Sequence, residues 1–93
     1  MNSARVTISQ EVLIELLYGY LNLEKPEDKS MRLPLLRYRL ADKVYRLRVH
    51  DLIPEIAAAL GCSNQTAHRE VRKIQQCELP SNVRAVILEF TKT

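Results

Sequence analysis

The chain has 93 residues, of which 46% are hydrophobic, and it carries a formal net charge of +3. This length suits one domain, because domains usually hold about 100–150 residues, and the hydrophobic content argues against a disordered chain. No segment approaches the run of about 20 apolar residues that a membrane span needs, and two cysteines are too few for a disulfide framework. With two glycines and many leucines and alanines, the composition favours a mainly helical protein.

The N-terminal residues are not followed by an apolar run, so we expect no secretory signal and a cytoplasmic protein. A domain of this size buries a comparatively small part of its surface. We therefore expect a homodimer, in which a second subunit adds buried apolar area.

The first predicted element is a helix over 10–23, within an N-terminal unit that spans 5–23. Thr7 with Gln10, or Ser9 alone, can cap its N-terminus. Apolar side chains cover most of its circumference, so either part of that surface contacts a partner subunit or all of it belongs to the core. The residues expected at a dimer interface are Leu13, Leu16, Leu17 and Tyr20.

A charged loop over 24–30 separates this helix from a second one, which is predicted over 35–47 and begins after Pro34. Four apolar residues form one stripe at helical spacing along it: Leu36, Leu40, Val44 and Leu47. We expect a break at 49–50 and then a helix over 52–60, with Asp51 as its N-cap and Pro54 in its first turn.

Positive charge is concentrated in residues 31–50, where six arginine and lysine side chains accompany a single acidic residue, Asp42. Such a segment either faces a polyanion or forms the solvated face of an ordinary helix. Three of the basic residues are predicted beside the apolar stripe: Arg39, Lys43 and Arg46.

The next predicted helix covers 64–76, after a turn at Gly61 and with Ser63 as its N-cap. Its apolar residues Ala67, Val71 and Ile74 fall on one side at 100° per residue. The opposite side carries hydrogen-bonding and cationic residues: Gln65, His68, Arg69, Arg72 and Gln76.

The segment from Ile56 to Ile74 resembles the helix-turn-helix of small bacterial and phage transcriptional regulators. Ala57 stands where two helices cross closely, Gly61 ends the first helix, and Leu60 and Cys62 point inward around the turn. Two departures are Glu70, where the family usually has an apolar residue, and Ala67, which is smaller than the usual valine or isoleucine.

The resemblance implies a tri-helical helix-turn-helix core over 35–76 and sequence-specific binding of double-stranded DNA, with helix 64–76 in the major groove. The expected base contacts are Asn64, Gln65, His68 and Arg69. The expected phosphate contacts are Ser63, Thr66, Arg72 and Lys73, flanked by Arg39, Lys43 and Arg46. Such a protein would act as a transcriptional regulator, and a homodimer would bind two half-sites.

Residues 77–93 admit two interpretations. The β-branched content of 83–90 is typical of the returning strand of a winged helix-turn-helix protein, whereas the spacing of Val83, Val86, Ile87 and Phe90 is helical. We favour the strand, and with it a short C-terminal β wing; a helix here would favour a role in dimerisation.

Other classes of function find less support in the sequence. No nucleophile elbow, glycine-rich phosphate loop or pair of catalytic carboxylates is present, so we expect no enzymatic activity. The spacing of the histidines and cysteines fits no zinc pattern, and we expect no cofactor and no small-molecule ligand. Two alternatives remain: a helical protein-interaction or adaptor module that uses the apolar helix 10–23, and a non-specific nucleic-acid packaging protein.

Overall fold

The computed structural model describes residues 9–76 and 79–90, and these ranges are mainly helical with no strand. Five α-helices follow one another, with a 3₁₀ turn at Lys29–Met31 between the first two. The helices are α1 (Gln10–Tyr20), α2 (Arg32–Leu40), α3 (Lys43–Leu60), α4 (Asn64–Gln75) and α5 (Ser81–Phe90). The predicted fold class, mainly α, is confirmed at this level. None of the described helices combines the length and apolarity required to cross a bilayer.

Helix α1 ends earlier than the predicted boundary at residue 23. Asn22 adopts a left-handed conformation with φ of 55°, which asparagine tolerates better than most residues. The Leu23 N–H then donates to the Tyr18 carbonyl at 2.9 Å, and the Asn22 N–H donates to the Gly19 carbonyl at 3.2 Å. This pair of bonds is a Schellman motif, so the chain leaves the helix while the last carbonyls still have partners.

The N-terminus of α1 has the backbone conformation of a capped helix but lacks the hydrogen bond from a backbone N–H to the side chain of the N-cap residue. Ser9 occupies the N-cap position in an extended conformation, but its hydroxyl makes no capping hydrogen bond. The alternative cap at Thr7 lies outside the described residues, as does the rest of 1–8.

The predicted break at 49–50, between helices over 35–47 and 52–60, is wrong, because the chain breaks at 41–42. The predicted helix end at residue 60 is confirmed. Asp42 is the N-cap of α3, and its carboxylate accepts a hydrogen bond from the Val44 N–H at 2.9 Å. Asp51, the predicted cap, lies exposed inside α3. Either aspartate can cap a helix, and the one at position 42 is used.

The earlier break also splits the predicted apolar stripe. Leu36 and Leu40 on α2 are fully buried, whereas Val44 and Leu47 on α3 are 61% and 67% exposed. The stripe requires one continuous helix. Because a new helix starts at residue 43, Val44 and Leu47 no longer face the core with the leucines of α2.

Pro54 lies in the interior of α3, not in a first turn. Proline has no N–H, so the His50 carbonyl lacks its usual helical donor. Both residues are exposed, and water can therefore take the place of that donor.

The core is formed by residues from all five helices. α3 packs on α1 and α4, and α2 packs on α5. The largest fully enclosed side chain is Tyr18, whose hydroxyl donates to the Arg32 carbonyl at 2.7 Å. The buried hydrophobic residues are Leu13, Leu17, Tyr18, Leu21, Leu35, Leu36, Leu40, Val49, Ile53, Ile56, Ala57, Ala67, Val71, Ile74 and Ile87.

The described part of the C-terminal segment is a helix, α5, and not the strand that we favoured. Ile87 is fully buried, and Leu79 and Val83 pack against the core at spacings of four residues. These three contacts match the helical period and override the β-branched composition. Residues 77–78 and 91–93 of the predicted wing lie outside the described residues.

The buried phenol of Tyr18 predicts an alkaline destabilisation. Burial raises the pKa of Tyr18 from 10.0 to about 12, against the opposing charges of Arg32 and Arg39. Because the unfolded chain loses this proton first, the stability contribution is complete below pH 10 and disappears as the pH rises towards about 12. Tyr18→Phe should lower the free energy of unfolding by about 1 kcal/mol at neutral pH through the lost hydrogen bond.

Urea unfolding of the wild type and of Tyr18→Phe, measured from neutral to alkaline pH, tests the predicted loss of stability. The difference between wild type and Tyr18→Phe should shrink by about 1 kcal/mol near pH 11. Parallel stability curves for the two proteins would contradict the assignment, because every other titrating group is common to both.

Candidate nucleic-acid interface

The turn between α3 and α4 depends on the backbone of Gly61. Its φ of 70° and ψ of 36° lie in the left-handed region, where glycine avoids the steric cost of a side chain. The Cys62 N–H donates to the Ala57 carbonyl at 3.0 Å, and the Gly61 N–H donates to the Ala58 carbonyl at 3.3 Å. The prediction that the helix ends at Gly61 is thereby confirmed, and the two hydrogen bonds form a Schellman motif.

Ser63 starts α4 as predicted. Its Oγ accepts a hydrogen bond from the Thr66 N–H at 3.1 Å and donates to the Thr66 Oγ1 at 2.9 Å. Both hydroxyls thus take part in the cap. A phosphate contact by either residue, which remains a prediction, would have to share those atoms with the cap.

The two faces of α4 are separated as the sequence predicts. Ala67, Val71 and Ile74 are at most 2% exposed, and they lie on the side of α4 that packs most extensively against α3. Ala57 of α3 is also buried, and small residues on both helices allow a close approach. The exposed residues of α4 are Asn64, Gln65, His68, Arg69, Arg72 and Lys73, and Gln76 follows them. All four expected base contacts are therefore accessible to a ligand.

Glu70, the departure from the helix-turn-helix pattern, is half-buried and pairs with Lys73 across one helical turn at 2.8 Å. Lys73 is well exposed, so this ion pair is worth at most about 1 kcal/mol. Because the ion pair is weak, an incoming phosphate can compete with Glu70 for the Lys73 ammonium group.

A cleft of about 400 Å³ runs between α3 and α4; we call it the α3–α4 cleft. Its apolar floor includes Val49 and Val71, and basic side chains from both helices line it. The imidazoles of His50 and His68 meet here almost perpendicularly, with ring centroids 6.1 Å apart. The lining residues are Arg46, Val49, His50, Ile53, His68, Val71, Arg72, Gln75 and Gln76.

A second cleft, of about 500 Å³, adjoins the first at the start of α4. The two clefts share Ile53, His68 and Arg72, so they form one continuous surface. The second is lined by Ile53, Asn64, Gln65, His68, Arg69 and Arg72. Among the residues that the structure describes, no carboxylate lines either cleft, whereas Arg46, Arg69 and Arg72 do.

The structure brings one of the three predicted flanking residues to this surface. Arg46 lines the α3–α4 cleft, but Arg39 is half-buried on α2, and Lys43 lies in the first turn of α3 away from both clefts. His50 was missed by the sequence analysis. Had Asp42 been taken as the N-cap, the i, i+4, i+7 spacing of Arg46, His50 and Ile53 would have placed all three on one face of α3.

The four residues expected at a dimer interface lie mostly within the chain. Leu13 and Leu17 are at most 1% exposed and belong to the core of this subunit. Leu16 and Tyr20 are half-buried. The apolar side of α1 is thus largely occupied by its own domain.

The chain showed no significant match to protein-family models, to curated protein sequences or to solved structures. Within residues 9–76 and 79–90, no three histidine, cysteine or carboxylate side chains converge in a way that could hold a metal ion.

The two glycines of the chain provide a matched test of the turn. At both Gly61 and Gly19, an added Cβ would meet no atom within 4 Å, so only the backbone conformation distinguishes them. Gly61→Ala should lower the free energy of unfolding by about 1 kcal/mol, because alanine is strained at positive φ. Gly19→Ala, inside α1, should raise it by about 0.5–1 kcal/mol. Urea unfolding measures both, and the same sign for both variants would contradict the geometry of the turn.

Proposed function

We propose that the protein is a sequence-specific double-stranded DNA-binding protein in which α3, the turn at 61–63 and α4 act as a helix-turn-helix. The observation that carries this proposal is the solvent-facing side of α4 and its adjoining clefts. That surface combines exposed arginine, histidine and amide side chains, and no carboxylate from the described part of the chain lines it. A helix fits the major groove, which is about 12 Å wide.

The exposed side chains divide by chemistry into two groups. Asn64 and Gln65 can pair with adenine, and Arg69 can donate two hydrogen bonds to guanine. These residues and His68 lie in the N-terminal half of α4, the part of a recognition helix that usually contacts base edges. Arg72, Lys73 and Arg46 supply cations further along the surface, where phosphates would lie. Ser63 and Thr66 contribute through the N-terminus of α4.

A single unit of this size reads few base pairs, and we propose that the protein acts as a cytoplasmic homodimer on half-sites about 34 Å apart. In that form it would serve as a transcriptional regulator. The dimer contact would involve surfaces other than Leu13 and Leu17, which are buried within the subunit.

The interaction-module alternative relies on the apolar side of α1. Leu13, Leu17, Tyr18 and Leu21 are all at most 2% exposed in the isolated chain, so little of that side is left for a partner. This observation favours DNA binding over the alternative.

Substitution of Arg69 and Arg72 tests the proposal. Arg69→Ala should cost about 1–3 kcal/mol of binding free energy and relax the preference at one base position. Arg72→Ala should weaken binding to all sequences and reduce the salt dependence by about one ion. Fluorescence anisotropy with a duplex selected from random sequences measures both effects, and circular dichroism checks that α-helix content is unchanged.

Arg48→Ala is the matched control. Arg48 is exposed on α3 and lines neither cleft, so this variant removes the same charge away from the proposed interface. Equal losses in all three variants would indicate attraction by net charge alone. Steep salt dependence with no sequence preference would instead support non-specific packaging.

A further inference from the structure

A separate cavity of about 390 Å³ lies where the end of α4 meets α2 and the start of α5. This volume falls within the range of small-molecule sites, about 300–1,000 Å³. We call it the α2–α5 cavity. Its lining residues are Arg37, Tyr38, Ala41, Gln75, Gln76, Leu79 and Arg84.

Two guanidinium groups line this cavity, and no carboxylate from residues 9–76 or 79–90 is among the lining residues. Within the described parts of the chain, neither Arg37 nor Arg84 forms an ion pair. Arg84 is exposed to solvent, whereas Arg37 is half-buried. A counter-ion from outside the chain would complete this pair of charges.

The Nε atom of Arg37 supplies an independent observation. It is enclosed by the protein and has no hydrogen-bond partner. Buried donors normally have partners, and an unpartnered one calls for an explanation. An acceptor bound in the cavity would become that partner once the Arg37 guanidinium turns towards it, since guanidinium groups donate in a planar fork that matches the oxygens of phosphate and carboxylate.

We propose that the α2–α5 cavity binds a phosphate group, held by Arg37 and Arg84 with additional hydrogen bonds from the amides of Gln75 and Gln76. Phosphate is preferred over carboxylate because a phosphate monoester carries close to two negative charges at neutral pH, which balance the two guanidinium groups. This charge balance favours a small phosphate ester. The backbone of a nucleic acid, in which each phosphodiester carries one negative charge, is the other source of the same group. The site shares Gln75 and Gln76 with the α3–α4 cleft, but Arg37 and Arg84 line neither cleft along α4. The proposal does not rest on the proposed DNA binding.

Titration with inorganic phosphate tests the site directly. NMR chemical shifts of the full chain, followed at constant ionic strength in sodium chloride, should show saturable changes at Arg37, Arg84 and the two glutamines. Arg84→Gln should weaken phosphate binding about tenfold, seen as a higher dissociation constant, because one charge-assisted contact is lost. Arg37→Lys, which keeps the charge but loses the fork, should also weaken it. Acetate, a monoanion, should bind more weakly than phosphate to the wild type.

Arg48→Gln is the control for charge and should leave phosphate binding unchanged. Equal phosphate binding by Arg84→Gln, Arg37→Lys and the wild type would overturn the proposal. The proposal would also be overturned if phosphate caused no saturable shifts and Arg84→Gln bound DNA as tightly as the wild type. If Arg84→Gln weakens binding of duplex DNA while free phosphate binds poorly, the source is a nucleic-acid backbone. If free phosphate binds and DNA affinity does not change, the source is a small phosphate ester. Either result supports the site, and the second does so even if the protein binds no DNA.

Discussion

The packing of Ala67, Val71 and Ile74 against α3 is the contact on which the candidate interface depends. A helix of 12 residues, the length of α4, is marginal in water without tertiary support. Burial of this apolar side keeps α4 helical and turns its polar side outward. The same contact brings Arg46 and His50 of α3 beside α4, so that two helices form one cationic surface.

The distribution of carboxylates reinforces this surface. Glu15 accepts a hydrogen bond from Lys25 and also pairs with Arg32, and the Lys25 bond is the main reason that the pKa of Glu15 lies below its ordinary value. Asp28 and Asp42 each accept a hydrogen bond from a backbone N–H at the start of a helical turn. Glu70 pairs with Lys73, and no carboxylate of residues 9–76 or 79–90 lines either cleft along α4.

The sequence predicted α4 and its turn well, but it placed the boundary between α2 and α3 at the wrong residues. The signals at Gly61 and Ser63 are local: a left-handed residue and a hydroxyl cap act through the backbone within three residues. At α2 and α3 two aspartates compete as caps, and the stripe from Leu36 to Leu47 suits one straight helix. The capping rule allows either aspartate, and the choice of Asp42 exposes the last part of the stripe, so the hydrophobic pattern favours Asp51. For α5, β-branched composition and helical spacing disagree, and the burial of Ile87 decides between them.

The sequence by itself determined that the chain is mainly helical, where α4 begins, and which of its sides is polar, because these follow from caps, glycine and periodicity over a few residues. Only the tertiary structure decided which residues of α3 join α4, where α2 ends, and that Arg37 and Arg84 line one cavity. Those features depend on contacts between helices that are distant in the chain. The free energy of those contacts comes from packing and burial between helices, which the sequence of a single short segment does not specify.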